Sequence, residues 1–171
     1  MHSATYRLNA VATMAFTGLL ALCLAVSVTE LAHKANPEAS LKMHGVHHFK
    51  PLGGNDEAVL SFQMKGDLSS CFSWNTKQLF AYIKVVYETE RHVRNEVTVW
   101  DKVMTSTEEA RIEEAFLSKY ALVDNGSDLR GRDVNLTLAW NVMPYIGALY
   151  FGEKVFAAKM PSEYMSDGRQ G

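Results

Sequence analysis

The chain divides by pattern into an unbroken apolar run and a long alternating region. From Leu8 to Val28 no charged residue occurs, and Ala10 to Val28 is nearly all apolar or small. About 20 helical residues at about 1.5 Å each cross the roughly 30 Å hydrocarbon core of a bilayer. The run therefore predicts a membrane-spanning helix over residues 10–29, after a short segment 1–9. Thr13, Thr17 and Ser27 can bond back to helix carbonyls and so do not forbid insertion. A cleaved signal peptide competes with a retained anchor. Ala25-Val26-Ser27 would serve as a cleavage site, but the run exceeds the usual signal-peptide core of about 7–15 residues, which favours retention. Arg7 alone argues for a cytosolic N-terminus, and Lys34 on the other flank dilutes that bias.

Beyond the anchor the period changes to two. Ser40 to Lys50 reads as a strand between Pro37 and Pro51, ahead of a turn at Leu52-Gly53-Gly54-Asn55. Ala58, Leu60, Phe62 and Met64 share one face of a second strand. Leu79 to Glu88 alternates with apolar residues on both faces, as a strand covered on both sides would. Glu96 to Met104 is a further strand with Val97, Val99 and Val103 facing together, joined to its predecessor by a hairpin loop over Thr89 to Asn95. Ser106-Thr-Glu-Glu109 has the form of a capping box and predicts a short helix to Leu117, with Ile112, Phe116 and Leu117 as its buried stripe. Lys119 to Val123 reads as a strand ending at the turn Asp124-Asn125-Gly126. Asp133 to Met143 is the longest alternation, with Val134, Leu136, Leu138, Trp140 and Val142 on one face; Pro144 stops it. Glu153 to Met160 completes the set, and Ser162 to Gly171 reads as a polar, disordered tail. Short strands at turn-marked spacing with one helix predict an antiparallel β-sandwich over residues 30–161, carried on the anchor.

Composition narrows the classes. The 171 residues carry a formal net charge of −2 with no long run of one sign, which argues against a nucleic-acid partner. Cys23 lies inside the apolar run and Cys71 outside it, so an intrachain disulfide is not expected. In a strand His44 and His48 would lie about 13 Å apart, too far to share a zinc ion, with His47 on the opposite side. Ser61, Ser69, Ser70 and Ser73 occur without a nucleophile elbow or any spacing that marks a paired base. Two sequons occur, Asn125-Gly-Ser127 and Asn135-Leu-Thr137. Asn135 and Thr137 share the polar face of their strand, so a glycan on Asn135 would stay in water and would place the domain outside the cytosol.

The stretch from Phe72 to Tyr82 resembles the W-N-x-K-Q-L-F-x-Y motif of the signal peptidase complex subunit 3 family. Val99-Trp100-Asp101-Lys102, then Lys119-Tyr120, then Leu129-Arg130-Gly131-Arg132 with Asn135 to Pro144 and Gly147, follow in the family's order. The resemblance implies a non-catalytic, single-pass subunit of the endoplasmic-reticulum signal peptidase complex, with a cytosolic N-terminus and a lumenal domain. Its partners would be the Ser-His-Asp-type catalytic subunit, the other subunits and the membrane. It implies no cofactor, no metal, no small-molecule ligand and no catalytic residue on this chain. Asn135 occupies the place of the family's glycosylated sequon, whereas the loop from Leu52 to Ala58 and the stretch from Thr105 to Ser118 match no family pattern. A secreted or anchored β-sandwich binding module and an independent hydrolase remain as alternative readings. Within the first motif Trp74 and Asn75 are expected to tie down an internal corner, with Trp74 buried; Lys77 and Gln78 are expected to face a partner.

Overall fold

The structure, a computed structural model, describes residues 3–90 and 92–165. It opens with helix α1 (Ala4–Leu31). Ser3 caps it, accepting from the Tyr6 N–H at 3.3 Å. The hydroxyls of Thr13, Thr17 and Ser27 donate to carbonyls four residues back at 2.9, 2.9 and 3.0 Å, as a helix in an apolar medium requires. Leu8, Val11, Phe16, Leu20, Leu24 and Val28 are exposed, so among the described residues the helix has no protein surface to bury them against.

Two antiparallel sheets follow. Strands β1 (Glu38–Leu52) and β2 (Asn55–Asp67) form a long hairpin closed by Gly53 and Gly54, both at positive φ. A 3-10 turn (Ser69–Cys71) leads to β3 (Thr76–Tyr87), which pairs with β4 (Asn95–Met104). Strands β5 (Arg111–Leu117) and β6 (Leu122–Asp124) return to β2, and β7 (Asp133–Pro144) and β8 (Tyr150–Lys159) extend the sheet of β3. The first sheet has the order β1-β2-β5 with β6 also on β2; the second has the order β4-β3-β7-β8. Between them lie Phe49, Leu60, Phe62 and Met64 from one side and Leu79, Ile83, Leu136 and Leu138 from the other, all buried. The antiparallel β-sandwich on an apolar helix is the architecture the periodicity predicts.

Four local expectations fail, each for a physical reason. The helix expected over residues 106–117 is a turn followed by β5. The capping box forms only in part: the Glu109 N–H donates to Ser106 Oγ at 3.4 Å, but Glu109 Oε2 accepts from the Thr105 N–H, one residue ahead of the cap, at 2.8 Å. The chain then joins β2, with Ile112 opposite Gly66 and Phe116 opposite Phe62. Ile112 and Phe116 are four apart, a spacing that shares a face at period two as well as at 3.6. Only a helix would also turn Leu117 inward, and Leu117 is 49% exposed. Among the described residues the short helical element is instead the 3-10 turn at Ser69–Cys71.

In β4 a register shift opposite Ile83 and Lys84 inserts one residue, so the inward parity changes after Val99. Val99 is buried, Met104 takes the inward place beyond it, and Val103 faces out. In β1 two shifts leave His44 and His47 unpaired, so neither histidine keeps its regular strand orientation. Finally, the chain stays packed beyond Pro161. Met165 bridges to Phe49, and Tyr164 sets its ring 5.0 Å from that of Phe49. Residues 166–171 of the expected tail lie outside the described residues.

Candidate functional site

The first motif builds the corner where α1 meets the sandwich. Asn75 is 2% exposed, and its side chain takes both backbone groups of Ile146: Nδ2 donates to the Ile146 carbonyl at 2.7 Å, and Oδ1 accepts from the Ile146 N–H at 3.2 Å. The Asn75 carbonyl accepts from the Tyr145 N–H at 2.8 Å. One buried amide thus replaces the ladder that ends at Thr76 and Pro144, and it satisfies polar groups that would otherwise be costly to bury. Thr76 and Ser73 complete the turn. Thr76 Oγ1 accepts from the Ser73 N–H at 2.9 Å, and the Asn75 N–H donates to Ser73 Oγ at 3.1 Å.

Ser73 then reaches the helix. Its hydroxyl donates to the Glu30 carboxylate, 2.8 and 3.0 Å from the two oxygens, and the Tyr150 hydroxyl donates to Glu30 Oε1. Glu30 is 7% exposed although it sits at the end of an otherwise bare helix. Burial, and then the Glu30 carboxylate, push the Tyr150 phenol well above the usual tyrosine range, so it remains a donor at neutral pH. Next to this clamp, the His33 Nε2 lies 2.9 Å from the Ser70 carbonyl, and Lys154 Nζ donates to the Pro37 carbonyl at 2.7 Å. Gly147, at φ 122°, brings its loop against Ser27 of α1, where an added Cβ would stand 3.4 Å from Ser27 Oγ. The Ser73 proton is held by the carboxylate and its oxygen accepts from the backbone, so the chemistry of the corner is that of a fixed joint.

The remaining motifs also close the fold. Asp101 of the second motif accepts from Lys119 of the third at 2.9 Å, and the Trp100 ring stacks on Phe116 at 5.2 Å. Arg130 lies 4.8 Å over the Tyr164 ring. Trp140 packs flat on Gly152, where a Cβ would come within 2.5 Å of the indole. Cys71 is fully buried, and burial pushes its thiol up to about 11, so it stays protonated; Cys23 and Cys71 are both free.

The structure disperses the residues singled out in the sequence. Trp74, expected in the interior, is 70% exposed. It sits outside the Asn75 turn because the inward position is taken by Asn75 itself. Lys77 is exposed at a register shift in β3, and Gln78 is half-buried, donating to Met143 Sδ at 3.0 Å. Asn135 is exposed on the outer face of β7, between Val86 and Ala157. It borders a depression of about 620 Å³ with Lys84, Thr137 and Glu153. That position is at the opposite end of the sandwich from α1, about 30 Å along β7. Asn125 is exposed in the loop after β6. Glu30 and Tyr150 were missed by motif reading. The available signal was a carboxylate directly after the apolar run, which needs a partner if it is to be buried.

Comparison with known proteins agrees across nearly the whole chain. The model of the signal peptidase subunit family matches residues 1–163. Signal peptidase complex subunit 3 of Dictyostelium discoideum is 29% identical, over 98% of this chain and 99% of that protein. The protein of the same name from Yarrowia lipolytica is 32% identical, over 89% and 92%. That from Gallus gallus is 41% identical over 58% of this chain and 56% of its own.

Proposed function

From the premise that this chain belongs to the signal peptidase subunit family, we propose that it is a non-catalytic subunit of the endoplasmic-reticulum signal peptidase complex. The observation that carries the reading is the Glu30 clamp. Ser73 and Asn75 of the first motif meet Glu30, Ile146 and Tyr150, distant in the chain, in one joint that fixes the domain to its own helix. A peptidase that cuts just outside a membrane must hold its reacting groups at a set height above the bilayer. Positioning errors near 1 Å already cost rate, so a subunit can be essential without touching the substrate.

In this reading residues 1–9 are cytosolic, residues 10–29 span the membrane, residues 30–161 are lumenal and residues 162–171 follow as a C-terminal segment. The serine, histidine and aspartate that perform the cleavage reside on another chain, with which Lys77 and Gln78 make contact. Asn135 carries an N-glycan, which its exposed position far from α1 would accommodate. Purification of the tagged chain in mild detergent should recover a serine-type catalytic subunit and signal-peptide cleavage activity. Recovery of the chain alone, or a mature chain beginning after Ser27, would refute the assignment. Glycosidase treatment should shift the wild-type band, and Asn135→Gln should abolish the shift; loss of the shift with Asn125→Gln alone would move the glycan to the other sequon.

A further inference from the structure

The end of the sandwich that carries α1 is unlike the opposite end. The distal connections are rich in charge, from Glu88 to Arg94 and from Asp124 to Asp128. The β7–β8 connection beside α1 carries none: the chain is uncharged from Val134 through Gly152. Within it Tyr145, Ile146 and Leu149 are 69%, 36% and 53% exposed, and Trp74, also exposed, directly precedes Asn75, which bonds the backbone of Tyr145 and Ile146. These side chains are turned outward because the backbone inside them is fixed. Asn75 holds both polar groups of Ile146, and Gly147 lies against Ser27.

The Ser27 contact sets a depth. Leu8 to Val28, at about 1.5 Å per residue, is about 30 Å long and matches the hydrocarbon core. Ser27 therefore lies at its edge, and the loop that touches it lies at the same height. Tryptophan and tyrosine favour this layer, where an apolar ring body meets polar headgroups. An apolar group in that layer leaves water without needing a protein partner.

We propose that Trp74, Tyr145, Ile146 and Leu149 form a footing embedded in the headgroup layer of the leaflet on the domain's side of α1, with lipid as the partner. This rests on the reading of α1 as a membrane span. The footing and the Glu30 joint act together: the joint sets the angle between helix and sandwich, and the footing sets the height. The turn from Thr105 to Ala110 is at the same end but follows β4, the edge strand away from β8, and carries Glu108 and Glu109. The footing thus holds one side of the domain down and leaves the other clear of the membrane.

The test uses the full chain in phosphatidylcholine vesicles and the fluorescence of Trp74, obtained as the difference between wild type and Trp74→Phe. Trp74 is exposed, so the variant keeps its fold, and Trp100 and Trp140 cancel in the difference. Lipids brominated near the top of the acyl chain should quench the Trp74 signal by half or more, while aqueous iodide should leave it nearly unchanged. Quenching by iodide and not by brominated lipid would overturn the footing. So would loss of lipid quenching in the assembled complex, since a neighbouring subunit would then be the occupant. Alkaline carbonate extraction of the same vesicles reports separately on α1. A chain that resists extraction but fails the quenching test refutes the footing alone, whereas an extracted chain refutes the span and the footing together.

Discussion

Each end of the sandwich is closed by buried carboxylates that accept from tyrosine hydroxyls, yet the two ends join different parts of the chain. At the distal end Asp56, fully buried, accepts from the Tyr164 hydroxyl at 2.8 Å and the Leu129 N–H at 3.1 Å. Beside it, Asp124 accepts from the Tyr87 hydroxyl at 2.7 Å. The Tyr87–Asp124 bond links one sheet to the other, while the Asp56 bonds fasten the loop before β7 and the residues beyond Pro161 onto the first sheet. At the proximal end Glu30 links the sandwich to α1. The same chemistry therefore serves stability at one end and orientation at the other. Substitutions at the two ends should be separable by experiment.

The largest effect is expected for Asp56→Ala. It leaves the buried Leu129 N–H and the half-buried Tyr164 hydroxyl without their acceptor, at about 1–3 kcal/mol for a fully buried group and less for the other. Denaturant unfolding of the intact chain in detergent, followed by the buried Trp140, should show a loss of about 2–4 kcal/mol. A loss below about 0.5 kcal/mol would mean that Asp56 does not hold the loop before β7 and the C-terminal residues to the first sheet.

Tyr87→Phe comes next, at about 1.5–3 kcal/mol for a bond to a charged group. It also has a pH signature. Burial and then Asp124 raise the Tyr87 phenol well above its ordinary value. A folded-state pKa above the unfolded one gives stability that is full below about pH 10 and is lost as pH rises further. The wild type should therefore weaken more steeply above pH 10 than Tyr87→Phe; parallel curves would remove the phenol from the account.

Glu30→Ala should divide the two ends most clearly. The unfolding midpoint of the sandwich should change little, because the carboxylate bridges to the helix and not between the sheets. The joint should loosen instead. Loss of charge-assisted bonds of about 1.5–3 kcal/mol corresponds to about tenfold or more in the undocked fraction. Protease cleavage between Ala32 and Asn36 reports that fraction. Faster cleavage with an unchanged midpoint supports the division; a midpoint shift as large as that of Asp56→Ala would erase it.

Trp74→Ala should be the mildest, within about 0.5 kcal/mol, as for other exposed positions. The motif alone suggests a buried aromatic with a far larger loss. A large loss here would mean that Trp74 is covered within the folded chain.

Most of the architecture was legible in the sequence. The uncharged run from Leu8 to Val28 lies within α1, and strict alternation located β2, β3 and β7. Gly53-Gly54 marked the hairpin they close. The candidate site was legible as a motif but not as a geometry. Asn75 was placed at an internal corner, and its buried side chain bears that out. Trp74, its neighbour, was placed inside and lies outside, because successive residues in a turn point to different sides and the motif does not say which is which.

The sequence by itself determined what local pattern can encode: which segments can bury one face, where the chain must turn, and which stretch is apolar enough for a bilayer. Tertiary structure decided the rest. Ile112 and Phe116 fit a helix or a strand equally, and the open edge of β2 made them a strand. A single inserted residue opposite β3 sent Val103 outward. Glu30 became a buried joint because Ser73 and Tyr150, distant in sequence, arrive with the hydroxyls it needs. A periodic pattern fixes a residue's face relative to its own neighbours, but pairing partners and hydrogen-bond partners are fixed only once distant segments meet.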